Sequence, residues 1–465
     1  MAKPLHEPGV TVDGFRLEEL IHQGGMAALW RVSRPEATMP LLMKVPRIGE
    51  GADPAAIVSF EMEQMIMPRL SGPHVPAFVA AGDFSAQPYI VMEAITGDTL
   101  LRRLDALPLA YDEVAALGGN IATALHDLHG QHVIHLDVKP SNIMLRPSGE
   151  AVMLDYGLAR HDQLPDLMRE EFRVPFGTAP YMSPEQLRGL RDDPRSDLFA
   201  LGVLLYFFST GERPFGEAES LGGMRRRLWR DPVPPRALRA DYPPWLQEIV
   251  LRCLEVEPAW RYPTAAQLAF ELCHPDKVTL TRRSERLRRD PLTTVLRRRF
   301  NTDLSPRPKR ALAAHLSAAP IVVAAVDLGQ GSAGLHDALR ITAGRMLATM
   351  PMARLACLNV LKSARLAIDS TLDETGRNKH IERMVALRHW AEPLKLDASR
   401  LSVHVLEAAD PAAAILDFAA ANRVDHILVG ARHGSLMRTL LGSVSAKIAA
   451  EAECTVTVVR PARGA

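Results

Sequence analysis

HLDVKPSN, residues 135–142, commits more chemistry to eight positions than any other stretch of the chain. It carries a carboxylate (Asp137), an ammonium (Lys139) and an amide (Asn142) in one short loop. A second carboxylate, Asp155, follows in MLDYGLAR, where an apolar run ends and a glycine comes next. The pieces IML and VMLD read as two short strands that would set these groups side by side at a hairpin-like edge. A base, a cation that can face phosphate and two oxygen donors for a hard divalent ion are what phosphoryl transfer requires. The ions neutralise charge and the base orients a hydroxyl.

Working outward, the 465 residues exceed one ordinary hydrophobic core, and two or three domains are expected. A hydrophobic fraction of 47% with 23% charged residues is that of a globular protein. Lys+Arg 55 against Asp+Glu 54 leaves no global charge to favour nucleic acid or acidic substrates. The four cysteines are scattered, without metal spacing, and read as thiols in a reducing compartment. The N-terminus lacks the apolar stretch of a signal peptide. The longest apolar run, 198–208, is far short of the ~20 residues that span a bilayer, so no membrane span and a cytoplasmic location are expected.

Upstream of the loop, residues 15–32 alternate apolar and polar around Gly24 and Gly25, which reads as strand, tight loop, strand. Lys44 closes an apolar strand, PLLMKVPR. Glu63 lies in a helical stretch, AIVSFEMEQMIMPRL, where it can face away from Phe60, Met67 and Leu70. PYIVMEAITGDTL, 88–100, is a buried strand entering a polar connection. Downstream come FGTAPYMSPEQ, the apolar helix RSDLFALGVLLYFFSTGERPF with Asp197 near its start, where it can cap the helix, and EPAWRYPTAAQL with Arg261.

The order of these elements resembles that of protein kinases. HLDVKPSN is similar to the kinase catalytic loop and Asp155-Tyr-Gly to the D-F-G element that follows it. Lys44, Glu63, Asp137, Lys139, Asn142, Asp155, Glu185, Asp197 and Arg261 occur in family order, as in bacterial kinases of the eukaryotic-like Ser/Thr type. The resemblance implies that Asp137 is the catalytic base and that Lys139 steadies the transferring phosphate. It implies that Asn142 and Asp155 hold Mg²⁺, and that Lys44, paired with Glu63, grips the phosphates of ATP. By the same resemblance Gly24 and Gly25 form the lid over the phosphates, although a plain hairpin turn would also explain them. His22 and Ala27 stand where the family has its other glycines. Met92 would lie beside the adenine, with backbone groups from Glu93 to Ile95 holding the base. Asp197 would brace the catalytic loop, and Glu185 would pair with Arg261. Lys139 matches the Ser/Thr rather than the Tyr pattern, so the implied substrate is a protein serine or threonine. Leu136 replaces the arginine that often receives an activation-loop phosphate, so this loop is expected to take its shape by packing. An alternative from another class is a pseudokinase-like scaffold or nucleotide-gated binding module, which the altered glycine loop favours.

Residues 275–318 are densely basic, proline-interrupted and poor in aromatics. That suits a linker or surface-lying arm better than a nucleic-acid contact, which would want interleaved rings. From 319 onward apolar strands alternate with helices, which implies a parallel sheet covered on both faces, with its ligand crevice at the switch point. IVVAAVD ending at Asp327, VDHILVGAR with Gly430, and LLGSVSAKIAAEAECTVTVVRP resemble the universal stress protein family. The resemblance implies a nucleotide site at Asp327, Gly430, Gly442 and Ser443. His433 occupies the place of the second loop glycine and the loop is one residue short, so weak or absent ATP binding is expected. TVTVVR, the last strand, is expected at a sheet edge, where it could pair with a second copy in a homodimer.

The expected architecture is therefore multidomain. An N-terminal extension (1–14) precedes an α+β bilobal kinase fold (15–274) and a basic linker (275–318). A doubly wound, Rossmann-like α/β stress-protein domain (319–465) closes the chain. Its use would be Ser/Thr phosphorylation in stress signalling.

Overall fold

The computed structural model describes residues 7–48, 53–172, 176–216, 224–300, 319–329, 333–362, 378–431 and 443–461. Its first unit is a six-stranded antiparallel sheet in the order β1-β2-β3-β4-β6-β5. The strands are β1 (Thr11–Val12), β2 (Phe15–Gln23), β3 (Ala27–Ser33), β4 (Leu41–Pro46), β5 (Phe78–Gly82) and β6 (Tyr89–Glu93). The two-residue period of a strand decides what each face carries. In β4, Leu41, Met43 and Val45 are buried with Trp30 and Val32 of β3, and Lys44 is thereby turned to the opposite side. Helix α1 (Pro54–Ile66) packs on that side. Asp53 caps it by accepting from the Ala55 amide at 2.9 Å, and Pro54 supplies a first-turn residue with no N–H to satisfy.

The larger lobe is helical, built around α2 (Tyr111–Gly130) and the almost fully buried α4 (Arg195–Thr210). β9 (Ile143–Leu145) and β10 (Ala151–Met153) form the hairpin foreseen from IML and VMLD, with Ile143 opposite Met153. β7 (Asp98–Thr99) joins their sheet, and β8 (Val133–Ile134) pairs with β11 (Arg160–His161). Between β11 and α4 a short helix, α3 (Leu167–Glu171), crosses the surface. Helices α5 (Pro244–Cys253) and α6 (Ala265–Cys273) complete the lobe.

The described part of the basic segment is not a free tether. Arg283 pairs with Glu248 (3.1 Å) and Glu255 (2.8 Å), and Arg286 and Arg298 converge on Asp231 at 2.9 and 2.7 Å. Its cations meet buried acids of the large lobe, and helix α7 (Leu292–Phe300) lies within it.

The second unit is a five-stranded, wholly parallel sheet in the order β14-β13-β12-β15-β16. The strands are β12 (Ile321–Ala325), β13 (Arg354–Lys362), β14 (Leu401–Ala408), β15 (His426–Gly430) and β16 (Thr455–Val459). Val322 and Ala324 point to α8 (Ala333–Thr349) and α9 (Lys379–Ala391). Val323 and Ala325 point to α10 (Pro411–Asn422) and α11 (Ser443–Glu451). Both faces are covered, which is why the strands read as continuous apolar runs. The order reverses between β12 and β15, and β16 is an edge strand as expected. None of the described helices is long and apolar enough to cross a membrane.

Candidate active site

The cleft between the lobes is built from residues that the chain separates widely. Lys44 Nζ lies 2.5 Å from Glu63 Oε2 and 3.0 Å from Asp155 Oδ1. Burial alone would lower the Lys44 pKa, but the Asp155 and Glu63 carboxylates beside it raise it, so the ammonium stays charged. Asp155 is held at about 2, chiefly by Lys44, while burial pushes the Glu63 carboxyl upward. The side chain of Asp155 is half exposed and only Oδ1 meets Lys44, so its other oxygen is available. Gly157 explains how α1 comes this close. A Cβ there would stand 2.1 Å from Ser59 Oγ, so a side chain would push the helix away.

In the loop of residues 135–142, Asp137 is 6% exposed and both its oxygens are engaged. Oδ1 accepts from the Thr178 amide (3.1 Å) and hydroxyl (2.8 Å), while Oδ2 meets Asn142 Nδ2 (3.0 Å) and Lys139 Nζ (2.6 Å). Lys139 also donates to the Thr178 hydroxyl at 2.9 Å. A hydroxyl thus sits between the carboxylate and the ammonium, the geometry that acid–base chemistry on an alcohol needs. Leu136 and Asp155 both take left-handed backbone, each with φ 63°. For residues with a Cβ this costs ~1–2 kcal/mol, so the conformation must be held from outside. Asp197 holds Leu136. Its Oδ1 accepts from the Leu136 amide (2.8 Å) and its Oδ2 from the His135 amide (2.9 Å), while Gln186 donates to the Leu136 carbonyl. Expected also as a helix cap, Asp197 instead lies inside the first turn of α4, its carboxylate spent on the loop.

The described part of the segment from Asp155 to Glu185 is anchored by buried ion pairs. Asp166 accepts from Arg191 Nε at 2.9 Å, with Arg160 4.0 Å away, and Arg191 also reaches the Leu158 carbonyl. Glu185 and Arg261 form a bidentate buried pair at 2.6 and 2.8 Å, and the Ser196 hydroxyl donates to the same carboxylate. Thr178, Gln186 and the Asp166–Arg191 pair were not singled out from sequence. Thr178 carried a signal, as the one threonine or serine between Asp155 and Ser183, whereas nothing local marks Asp166 as the partner of Arg191.

At the connection after β6, the Glu93 amide is bonded to the Ala77 carbonyl and the Ala94 amide to the Pro40 carbonyl, both within 2.9 Å. Those two donors are spent on holding the strand, and Glu93 forms a bidentate pair with Arg146. Ile95 makes no backbone bond among the described residues, and Met92 is half-buried beside it. Gly24 donates to the Ala27 carbonyl at 2.9 Å, closing a hairpin, and neither Gly24 nor Gly25 adopts a positive φ. A Cβ on Gly25 would meet nothing within 4 Å, whereas one on Gly24 would touch His22 and the Ala27 carbonyl at 3.4 and 3.5 Å.

In the second unit, Asp327, Gly430 and Ser443 line one cavity of about 500 Å³ at the switch point, with Lys362 and Arg383 on its wall. Gly442, His433 and the rest of that loop fall outside the described residues. A Cβ on Gly430 would come within 2.7 Å of Leu335 Cδ2, so the missing side chain there makes room for α8.

Residues 15–272 match the family model described as "Protein kinase domain", and residues 320–460 match the "Universal stress protein family". The chain belongs to the protein kinase family, with a universal stress protein domain following the kinase domain. It is 34% identical over 315 residues to serine/threonine-protein kinase pkn3 of Myxococcus xanthus, covering 64% of this chain and 55% of that protein. It is 33% identical over 266 residues to serine/threonine-protein kinase PknB of Mycolicibacterium smegmatis, covering 56% of this chain and 42% of that protein. The chain thus spans about half the length of the curated relatives it matches. A crystal structure of the Mycobacterium tuberculosis PknI kinase domain is 24% identical, covers 57% of this chain and 98% of its own, and superposes with a TM-score of 0.46.

Proposed function

We propose that the chain transfers the γ-phosphoryl group of ATP to serine or threonine hydroxyls of a protein. The observation that carries this reading is the hydroxyl held between Asp137 and Lys139, opposite a Lys44 already paired with Glu63. In the proposed reaction Asp137 orients the substrate hydroxyl and accepts its proton, and Lys139 stabilises charge on the transferring group. Lys44 grips the nucleotide phosphates, with Glu63 fixing its position. The Ile95 backbone and Met92 contact the adenine. Gly24 and Gly25, with no Cβ in the way, let the hairpin close over the phosphates. The half-exposed Asp155 carboxylate and the Asn142 amide oxygen are the hard donors that Mg²⁺ takes. Bound with ATP, Mg²⁺ would neutralise phosphate charge.

The finer parts of the reading follow from the same features. The donors already face one cleft, so catalysis would rest on pre-organised charge rather than on rearrangement. Leu136 stands where a phosphate-binding arginine would be expected, and the Asp166–Arg191 pair holds the segment, which supports activity without a loop phosphate. The chain would act in the cytoplasm, where ATP and reduced thiols are found, and pair with a second copy through the exposed edge of β16. The test is incubation with γ-labelled ATP, Mg²⁺ and a generic basic protein. Label transfer by the wild type that Asp137→Ala abolishes is expected. Equal incorporation by the two would overturn the proposal.

A further inference from the structure

Helix α1 carries two buried glutamates, and they are held by different parts of the chain. Glu63 pairs with Lys44 across the cleft. Glu61, two residues earlier and so about 200° around the helix, pairs with Arg388 of α9 in the stress-protein domain. The helix is therefore gripped from both sides.

Helix α3 is sandwiched in the same way. It touches α1 on one side and β14 and α10 on the other. Its Glu170 lies 2.5 Å from Arg354 Nη2 of β13 and 3.0 Å from His404 Nε2 of β14, and its carbonyl accepts from Asn422 of α10. Glu171 stands 3.6 Å from the other His404 ring nitrogen and 3.7 Å from His380. His404 is fully buried, and the side chains of Glu170 and Glu171 that it meets are only 7% and 5% exposed. A single cluster of buried apolar residues runs from the kinase lobes into the α8/α9 face of the second sheet. Buried charges that are paired across such a surface are costly to separate, because each would be left desolvated and alone.

We propose that the stress-protein domain positions the kinase cleft, with Arg388 fixing α1 through Glu61 and the pair Arg354–His404 fixing the activation segment through Glu170 and Glu171. Arg388, Arg354 and His404 are positioning residues: none reaches the cleft. The argument has two mechanical links. Glu61–Arg388 and Glu63–Lys44 hold opposite sides of α1, so releasing the first frees the helix to shift relative to Lys44. Moving α3 shifts the segment that carries Gly157, on which Ser59 of α1 rests. A ligand or partner that changed the seat of α9 or β14 would then change the kinase rate without touching ATP. This inference rests on the reading of the cleft as a phosphotransfer site.

The test uses the full chain and exchanges the charges of one pair. Arg388→Glu and Glu61→Arg are each expected to lower kcat about 5–20-fold, the range of ordinary coupling between sites. The double variant should return kcat to within about threefold of wild type, because the pair is restored in reverse. Amide exchange of residues 54–66 should quicken in each single variant and recover in the double, which loss of global stability would not reproduce. Arg388→Gln provides a second variant should the reversed charge prevent folding. Single variants with wild-type kcat, or a double variant no faster than the singles, would overturn the inference alone. Wild type and Asp137→Ala labelling substrate equally would remove the phosphotransfer reading and this inference with it.

Discussion

In the kinase half of the molecule several carboxylates in and around the cleft find partners far along the chain. Lys44 reaches Glu63 and Asp155, Glu185 reaches Arg261, and Asp197 reaches back to the loop at His135 and Leu136. In the stress-protein half the site is a crevice of about 500 Å³ at the reversal of strand order, lined by Asp327, Gly430 and Ser443. The difference separates a site made by paired charges from one made by topology. The phosphoryl transfer proposed above would need charges set before the substrate arrives, and partners on separate elements help to set them. A crevice at a switch point exists as soon as the strand order reverses, whatever lines it.

The sharpest way to break that contrast is to remove a long-range cation. Lys44→Met should lower kcat/KM by ~10²–10³-fold, the usual cost of one charge-stabilising group, and labelled-phosphate assays at matched protein stability would read it. If the activity survived, the cleft would not be the pre-organised site described here.

Comparable in size, but read as stability, is Arg261→Ala, which leaves Glu185 buried without its partner. Breaking a buried pair in this way costs ~3–5 kcal/mol, so the thermal midpoint should fall by many degrees and the unfolding denaturant concentration with it. A change within error would mean that Ser196 and solvent suffice for Glu185.

The junction between the halves should respond to pH. Burial would lower the His404 pKa, but Glu170 and Glu171 raise it to about 9. Glu170 itself is held at about 2 despite burial, by Arg354 and His404, while burial raises Glu171. The other groups facing this cluster are Glu61 of α1, Glu407 of the same strand and His380, whose burial holds it near 4 and so neutral. A folded pKa raised above the ordinary 6.5 stabilises fully below about pH 6.5 and is lost as pH rises through about 9. The contribution is about 3 kcal/mol. Wild type should therefore lose stability between these values more steeply than His404→Gln, measured by chemical denaturation at each pH. Parallel curves would exclude His404 as the titrating link.

The smallest effect belongs to the second half. Gly430→Ala forces a methyl against Leu335, and overpacking of this kind costs ~1–3 kcal/mol. It should lower the stability of the stress-protein domain while leaving kcat within about twofold of wild type if α9 keeps its seat. A large fall in kcat would show that strain at the switch point travels to the cleft, and would tie the two halves more closely than the contacts at α1 and α3 require.

Much of this was legible in the residues themselves. An apolar strand closed by Lys44 could be read directly, and continuous apolar runs separated by helices implied a sheet covered on both faces. Asp137, Lys139, Asn142 and Asp155 stood out as one chemical set, and the resemblance to protein kinases implied Lys44 and Glu63 beside them. Those features are local, or follow from one period along the chain. What tertiary structure decided is everything that depends on distance across the fold. Thr178 over Asp137, Arg191 on Asp166, and Arg388 on Glu61 are 41, 25 and 327 residues apart. The cations of the basic segment looked solvated, because nothing in their own run announces Asp231 or Glu248. Charge pairs carry no periodicity, so only packing determines which ones meet. Here packing brings the second domain to the helix that holds Glu63.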